Sequence, residues 1–140
     1  MQDLNCIFCK IAKGEIDHCR IYEDEKTIAF LDISPASPRG GHTLVIPKEH
    51  YVEITDVPDD VLVALAKTMK KVAKALKTYF KCDLNILQNN GKFAGQYVMH
   101  AHFHLIPRFE KDGIEIEKWK PQKYKPREME VLRTKIKKLL

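Results

Sequence analysis

A chain of 140 residues with 44% hydrophobic and 31% charged content is long enough for one domain with its own core and fits an ordinary globular protein. No run of about 18 apolar residues occurs, which excludes a transmembrane helix, and the start, MQDLNCIFCK, has neither the basic nor the apolar stretch of a secretory signal, so a cytoplasmic setting is expected. The net charge of +5 resides in residues 111–140, with ten Lys/Arg against five Asp/Glu, so the basicity is a poor argument for a nucleic-acid-binding core.

In chain order, CIFCKIAKGEI is expected to form a short helix stopped near Gly14. Arg20–Tyr22 and Thr27–Leu31 read as the arms of a hairpin across the charged turn Glu23–Lys26. Two prolines and two glycines in ISPASPRGG mark a loop, and HTLVIP gives a third strand, His42–Pro47. A long helix follows. Pro58 suits its first turn, and Asp59 and Asp60 suit its positive end. Leu62, Leu65, Met69, Val72, Leu76 and Phe80 recur at steps of three and four and define its buried stripe. LNILQ and HAHFHLIP supply two further strands, joined by NNGKFAGQ. A last helix starts near Pro126 with Met129, Leu132, Ile136 and Leu139 as its apolar edge. The order implies an α+β fold: a mostly antiparallel five-stranded sheet, the long helix on one face, and short N-terminal and C-terminal helices. Residues 1–110 then form the domain, and 111–140 a basic extension packed on it or across a dimer, with Trp119 as a packing residue. His18 and Cys19 are expected at the surface and Cys82 as a buried thiol.

Two patterns carry chemistry. Cys6-x-x-Cys9 offers two thiolates within reach of one metal ion, half of a zinc site, and His50 and one strand histidine are candidates to complete it. Forty residues separate Cys9 from His50, too many for a compact zinc finger, and a redox pair or two buried thiols are the rival readings. In an intracellular protein thiols or metal ligands are favoured over disulfides. The second pattern is MHAHFHLIPR. On a strand, His100, His102 and His104 share one face at roughly 6.5–7 Å spacing, which suits a metal, a pH-responsive patch or the oxygens of a phosphate. A neutral imidazole is a fair nucleophile toward phosphorus, and a ring N–H can stabilise charge on its oxygens. Simple filling of the face would bury three polar rings at a cost unless each found a partner.

HAHFHLI fits the pattern His-φ-His-φ-His-φ-φ, φ being hydrophobic, and thereby resembles the histidine triad (HIT) family of nucleotide hydrolases and transferases. CIFCKIAKGEI, YEDEKTIAFLDISPASPRGGHTLVIPKEH and NNGKFAGQ resemble the corresponding family segments in order, so the likeness spans roughly residues 5–108. The resemblance implies the HIT-like fold, a homodimer whose sheets join, and attack by His102 on the α-phosphorus of a purine nucleoside phosphoramidate, anhydride or ester. A nucleotidyl-histidine would form, and water would release the monophosphate. It further implies that His104 and His42 contact the phosphate and that Asp32 receives the ribose hydroxyls. Phe8, Ile11, Phe30 and Leu31 would line the base, and Asn89 and Gln96 would lie near the phosphate. In zinc-containing prokaryotic-type members the first triad histidine is a ligand, so His100 would join Cys6, Cys9 and His50 around one structural zinc ion per chain. Tyr97 departs from the serine that some eukaryotic members carry there, which removes the basis for a serine-assisted leaving-group step. Two other classes remain: a regulatory nucleotide-binding protein using the triad as a phosphate clamp, and a nucleic-acid-binding protein using the basic tail. No additional DNA-binding domain is evident, so nucleic acid is not the expected partner, and neither is a membrane.

Overall fold

The computed structural model describes residues 5–116 and 118–140. Five strands, β1 (Arg20–Glu23), β2 (Thr27–Leu31), β3 (Thr43–Pro47), β4 (Asp83–Gln88) and β5 (Phe103–Arg108), form one antiparallel sheet in the order β1-β2-β3-β5-β4. Three helices accompany it: α1 (Ile7–Ala12), α2 (Asp59–Phe80) and α3 (Glu128–Lys137). The α+β reading holds. The β1–β2 turn forms because the Asp24 carboxylate accepts the backbone N–H groups of Lys26 (3.0 Å) and Thr27 (2.8 Å), a side-chain mimic of a backbone turn.

Strand alternation sorts the side chains into two clusters. Ala29, Val45, Phe103 and Leu105 point toward α2 and pack against its Val61, Leu65, Val72 and Leu76. Ile28, Phe30, Leu44 and Ile46 point the other way and pack against Phe8, Cys9 and Ile11 of α1. The second face is the one that carries the histidines.

Several boundaries differ from the sequence expectation for identifiable reasons. His42 stands just before β3, and β5 opens only at Phe103, so His100 and His102 lie in the approach to the strand. Ala101 N–H is taken by the Tyr51 carbonyl (2.6 Å) and the His100 ring by Pro47 and the cysteines, which draws this stretch out of the ladder. The buried centre of α2 is Val61, Leu65, Thr68, Val72 and Leu76, with Leu62, Met69 and Phe80 at its margin. Among the described residues α3 buries nothing: Met129, Leu132, Ile136 and Leu139 are all exposed, as is Trp119. Packing of that helix on its own domain, one of the two expected arrangements, is not seen.

Gly41 sets the path into β3. Its φ is +79°, a region open to glycine, and a Cβ there would lie 2.4 Å from the Phe80 ring. The loop therefore passes directly over the end of α2 before delivering His42. No helix among the described residues is long and apolar enough to cross a membrane.

Candidate active site

The site is built on the α1 face of the sheet, where a cleft of about 370 Å³ opens beside β5. His102 and His104 border it from β5 and its approach, His42 and Asp32 from the loop between β2 and β3, and Phe8 from α1. The rings form a contiguous row. Phe8 meets His102 edge-on at 5.2 Å, His102 meets His104 at 4.9 Å, and His104 meets His42 at 5.1 Å.

Backbone partners settle where the ring protons sit. A carbonyl can only accept, so His102 donates its Nδ1–H to the His100 carbonyl (2.7 Å), and the neutral ring keeps a lone pair on Nε2. A backbone amide can only donate, so His42 Nδ1 accepts from Ala36 N–H (3.0 Å). His42 must then carry its proton on Nε2, where it donates to His104 Nδ1 (2.9 Å). His104 in turn holds its own proton on Nε2. One ring presents a lone pair and the next an N–H.

Electrostatics keep these rings neutral. Burial pushes His104 down to about 4, with His102 and His42 acting in the same direction and Asp32 opposing. Burial also lowers His42 against the pull of Asp32, and lowers His102 against its bond to the His100 carbonyl and against Asp32. The Asp32 carboxylate lies 3.8 Å from His42 Nε2, and its other oxygen accepts Ser34 N–H (2.8 Å). Asp32, His42 and His104 also lie close enough to be considered as a metal trio, but the His42 nitrogen in question carries the proton given to His104.

Beside this row, Cys6, Cys9, His50 and His100 bring four ligand atoms within 4.8 Å of one another. The Cys6 Sγ–His100 Nδ1 distance is 3.4 Å, Cys9 Sγ–His50 Nδ1 is 3.3 Å and Cys9 Sγ–His100 Nδ1 is 3.6 Å. Zinc bonds of about 2.3 Å to sulfur and 2.0–2.1 Å to nitrogen give S···N edges near 3.6 Å in a tetrahedron. The four residues fit that ion. His100 donates Nε2–H to the Pro47 carbonyl (2.9 Å), which leaves Nδ1 as the ligand atom and supplies the outer hydrogen bond that orients metal-bound imidazoles.

The nucleoside residues divide. Phe8, Asp32 and Asn89 border the cleft. Phe30 is buried behind Phe8 at 5.8 Å, and Ile11 lies in the same cluster beneath it, so both support the wall rather than face the opening. Leu31 alternates to the opposite face from Phe30 and does not border the cleft, a correction that follows from strand pleating. Gln96 is also corrected. It is buried, its Oε1 accepts Gly91 N–H (2.8 Å), and its Nε2 donates to the Val52 (2.7 Å) and Val98 (3.2 Å) carbonyls, so it ties the 91–98 loop together instead of facing a phosphate. Tyr97 borders the cleft while 94% exposed.

Sequence reasoning missed Leu44, Leu87, Ile106, Ile114 and Ile116, which also line the cleft. The first three share the strand parity of His104 and could have been found from register. Ile114 and Ile116 lie in the tail, where only their two-residue spacing after Gly113 hints at a common face.

A family model described as the HIT domain matches residues 13–111. This chain belongs to the HIT family. The HIT-family relatives include the protein hit of Bacillus subtilis, 42% identical over 97% of this chain and 94% of its own length. Another is the adenosine 5′-monophosphoramidase HNT1 of Saccharomyces cerevisiae, 49% identical over 80% of this chain and 68% of its length. The crystal structure of a HIT-family member from Bacillus subtilis superposes with a TM-score of 0.90 at 43% identity, covering 97% of each chain.

Proposed function

We propose that this HIT-family chain hydrolyses purine nucleoside 5′-phosphoramidates, and related anhydrides or esters, through a covalent nucleotidyl-histidine on His102. The observation that carries the reading is the tautomer of His102: Nδ1–H held by the His100 carbonyl and an Nε2 lone pair in the cleft, next to the His104 Nε2–H. A neutral nucleophile and an adjacent hydrogen-bond donor are what in-line attack on phosphorus needs. The phosphoramidase and adenylylsulfatase names of relatives support the same class.

In the first step His102 Nε2 bonds to the α-phosphorus as the P–N bond to the amine breaks, and the amine departs with a proton taken from water. His104 Nε2–H donates to a non-bridging oxygen, and His42 fixes that donor by occupying His104 Nδ1. Water then attacks phosphorus from the vacated side, the P–Nε2 bond breaks, and the nucleoside monophosphate leaves. Asp32 receives the ribose hydroxyls as a charged acceptor, and Phe8 packs on the base. Asn89 lies at the phosphate end.

Cys6, Cys9, His50 and His100 would hold one zinc ion per chain. With four protein ligands that ion is structural, tying α1 to the segment before β5. A homodimer formed by the exposed β4 edge, where Ile86 is half exposed, completes the proposal.

Adenosine 5′-phosphoramidate supplies the test. AMP release by the wild type, a nucleotidylated His102 peptide by mass spectrometry after acid quench, and loss of both in His102→Ala with AMP binding retained support the enzyme. Tight AMP binding without turnover in the wild type would make the chain a nucleotide clamp instead.

A further inference from the structure

The first residues of the tail are folded into the domain rather than solvated. Asp112 accepts the backbone N–H groups of Phe109 (2.9 Å) and Ile114 (3.0 Å), and Arg108 grips it through Nε (2.7 Å) and Nη2 (3.3 Å). Arg108 Nη2 also donates to the Ile114 carbonyl (2.8 Å) and Nη1 to Asn85 on β4. The Asp112 side chain is only 3% exposed, and the Arg108 guanidinium holds its carboxyl far below the usual carboxylate range. This clasp turns the chain back so that Ile114 and Ile116, both half-buried, border the cleft.

Cross-strand pairing shows which part of the cleft they close. Phe30 opposes Leu44, Leu44 opposes His104, and His104 opposes Leu87, so four side chains form one row on the site face. His104 therefore stands between two apolar compartments. On the β2–β3 side Phe8, Leu44 and Asp32 take the nucleoside. On the β4 side Leu87, Ile106, Ile114 and Ile116 have no assigned occupant. No Lys or Arg is among the described residues bordering the cleft, and Asp32 is the formally charged one. A polyphosphate entering the second compartment would lose hydration with no cation to replace it. An uncharged hydrocarbon gains there.

We propose that the Arg108–Asp112 clasp and the Ile114–Ile116 wall form an apolar leaving-group subsite that selects nucleoside phosphoramidates of alkyl or aryl amines over dinucleoside polyphosphates. The proposal rests on the hydrolytic reading above. Arg108 and Asp112 are positioning residues, acting through the two isoleucines, which are the specificity residues.

Adenosine 5′-phosphoramidates of straight-chain primary amines, methyl to hexyl, test it, because amine basicity barely changes along the series while buried area grows. In the wild type kcat/KM rises about three- to fourfold per methylene, the value of a buried CH2, until the compartment is full, and diadenosine tetraphosphate is turned over at least a hundredfold more slowly than the hexyl member. The Ile114→Ser/Ile116→Ser double variant loses the rise, Asp112→Asn flattens it, and Ile114→Leu, which keeps volume, retains it. Wild-type hydrolysis of the methyl member with no chain-length dependence overturns the subsite alone. So does an undiminished slope in a double serine variant that melts as a folded protein. Hydrolysis of no member by the wild type overturns both the subsite and the hydrolytic reading.

Discussion

Replacing Gly41 by alanine probes the link between the end of α2 and the reacting histidines. At φ +79° an L-residue costs about 1 kcal/mol relative to glycine. The new Cβ would lie 2.4 Å from Phe80 Cε2, 2.8 Å from Cζ and 3.1 Å from Pro107 Cγ, so roughly 1 Å of displacement is needed to reach ordinary contact. Phe80 is not free to swing, since its ring packs edge-on against Tyr79 at 4.8 Å and against Phe109 at 6.1 Å. Overpacking of this kind costs about 1–3 kcal/mol, so Gly41→Ala should lower stability by about 2–4 kcal/mol. The adjacent residue is His42, whose Nε2–H fixes His104. A shift near 1 Å there should cost about 100-fold in turnover. Urea unfolding, with the midpoint falling at constant slope, reads the first effect, and AMP release from adenosine 5′-phosphoramidate reads the second. Adding Phe80→Ala removes the clash but not the backbone strain, so the double variant should be less destabilised than the two single costs summed. A Gly41→Ala protein with wild-type midpoint and turnover, or a strictly additive double variant, would refute this coupling.

Acid should weaken the fold through His104. Its pKa is near 6.5 unfolded and about 4 folded, so the group contributes no pH dependence above 6.5; between 6.5 and 4 the unfolded state binds the proton first, and stability declines before levelling off. Denaturant midpoints at pH 7, 5.5 and 4.5 should show that decline, and His104→Asn should reduce it. Chelation should lower the thermal midpoint and expose the amides of residues 6–12 to hydrogen exchange, with one zinc per chain released by atomic absorption; unchanged melting after full removal would contradict a structural ion. Asp24→Ala strips the acceptor from Lys26 and Thr27 N–H and should cost about 1–3 kcal/mol by urea unfolding, with turnover of the folded protein unchanged. Lys81 ends α2 at φ 50°, so Lys81→Gly should raise stability by about 0.5–1 kcal/mol, visible as a higher denaturant midpoint.

The sheet and the long helix are legible in the sequence because periodicity reports one-sided burial, and both α2 and β2–β3 bury one face against the same core. What escapes is decided by partners distant along the chain. The approach to β5 leaves the ladder because Pro47, Tyr51 and the cysteines claim His100 and Ala101, contacts spanning 50 to 94 residues. Gln96 has the chemistry of a phosphate ligand, yet three backbone groups consume its amide. Leu31 beside Phe30 is excluded by strand parity alone, which the one-residue offset already implies. The tail misleads in both directions: α3 has a regular apolar edge and buries none of it, while Ile114 and Ile116, without a recognisable motif, line the cleft because Arg108 and Asp112 fold them inward. A lone apolar pair carries no periodic signal, and an amphipathic helix does not name the surface that will cover it.

The two chemical centres share one residue, which explains why the triad is not three equivalent groups. The His100 ring faces Cys6 and Cys9 with Nδ1 and donates Nε2–H to Pro47, while its backbone carbonyl accepts the His102 proton. Whatever holds that ring also fixes the carbonyl, and the carbonyl selects the nucleophilic tautomer. If the peptide at His100 rotated, His102 would lose its Nδ1 acceptor, and the proton could move to Nε2, where it would block attack. The alternation His-x-His-x-His therefore assigns a different task to each ring: the first anchors, the second reacts, and the third, set by His42, supplies the hydrogen bond. Substitutions of Cys6 or Cys9 should then act on the rate by shifting the His102 tautomer as well as by loosening α1, and the ¹⁵N chemical shifts of the His102 ring separate the two effects. A cysteine variant that lost activity with the Nδ1–H tautomer intact would break the link between the centres.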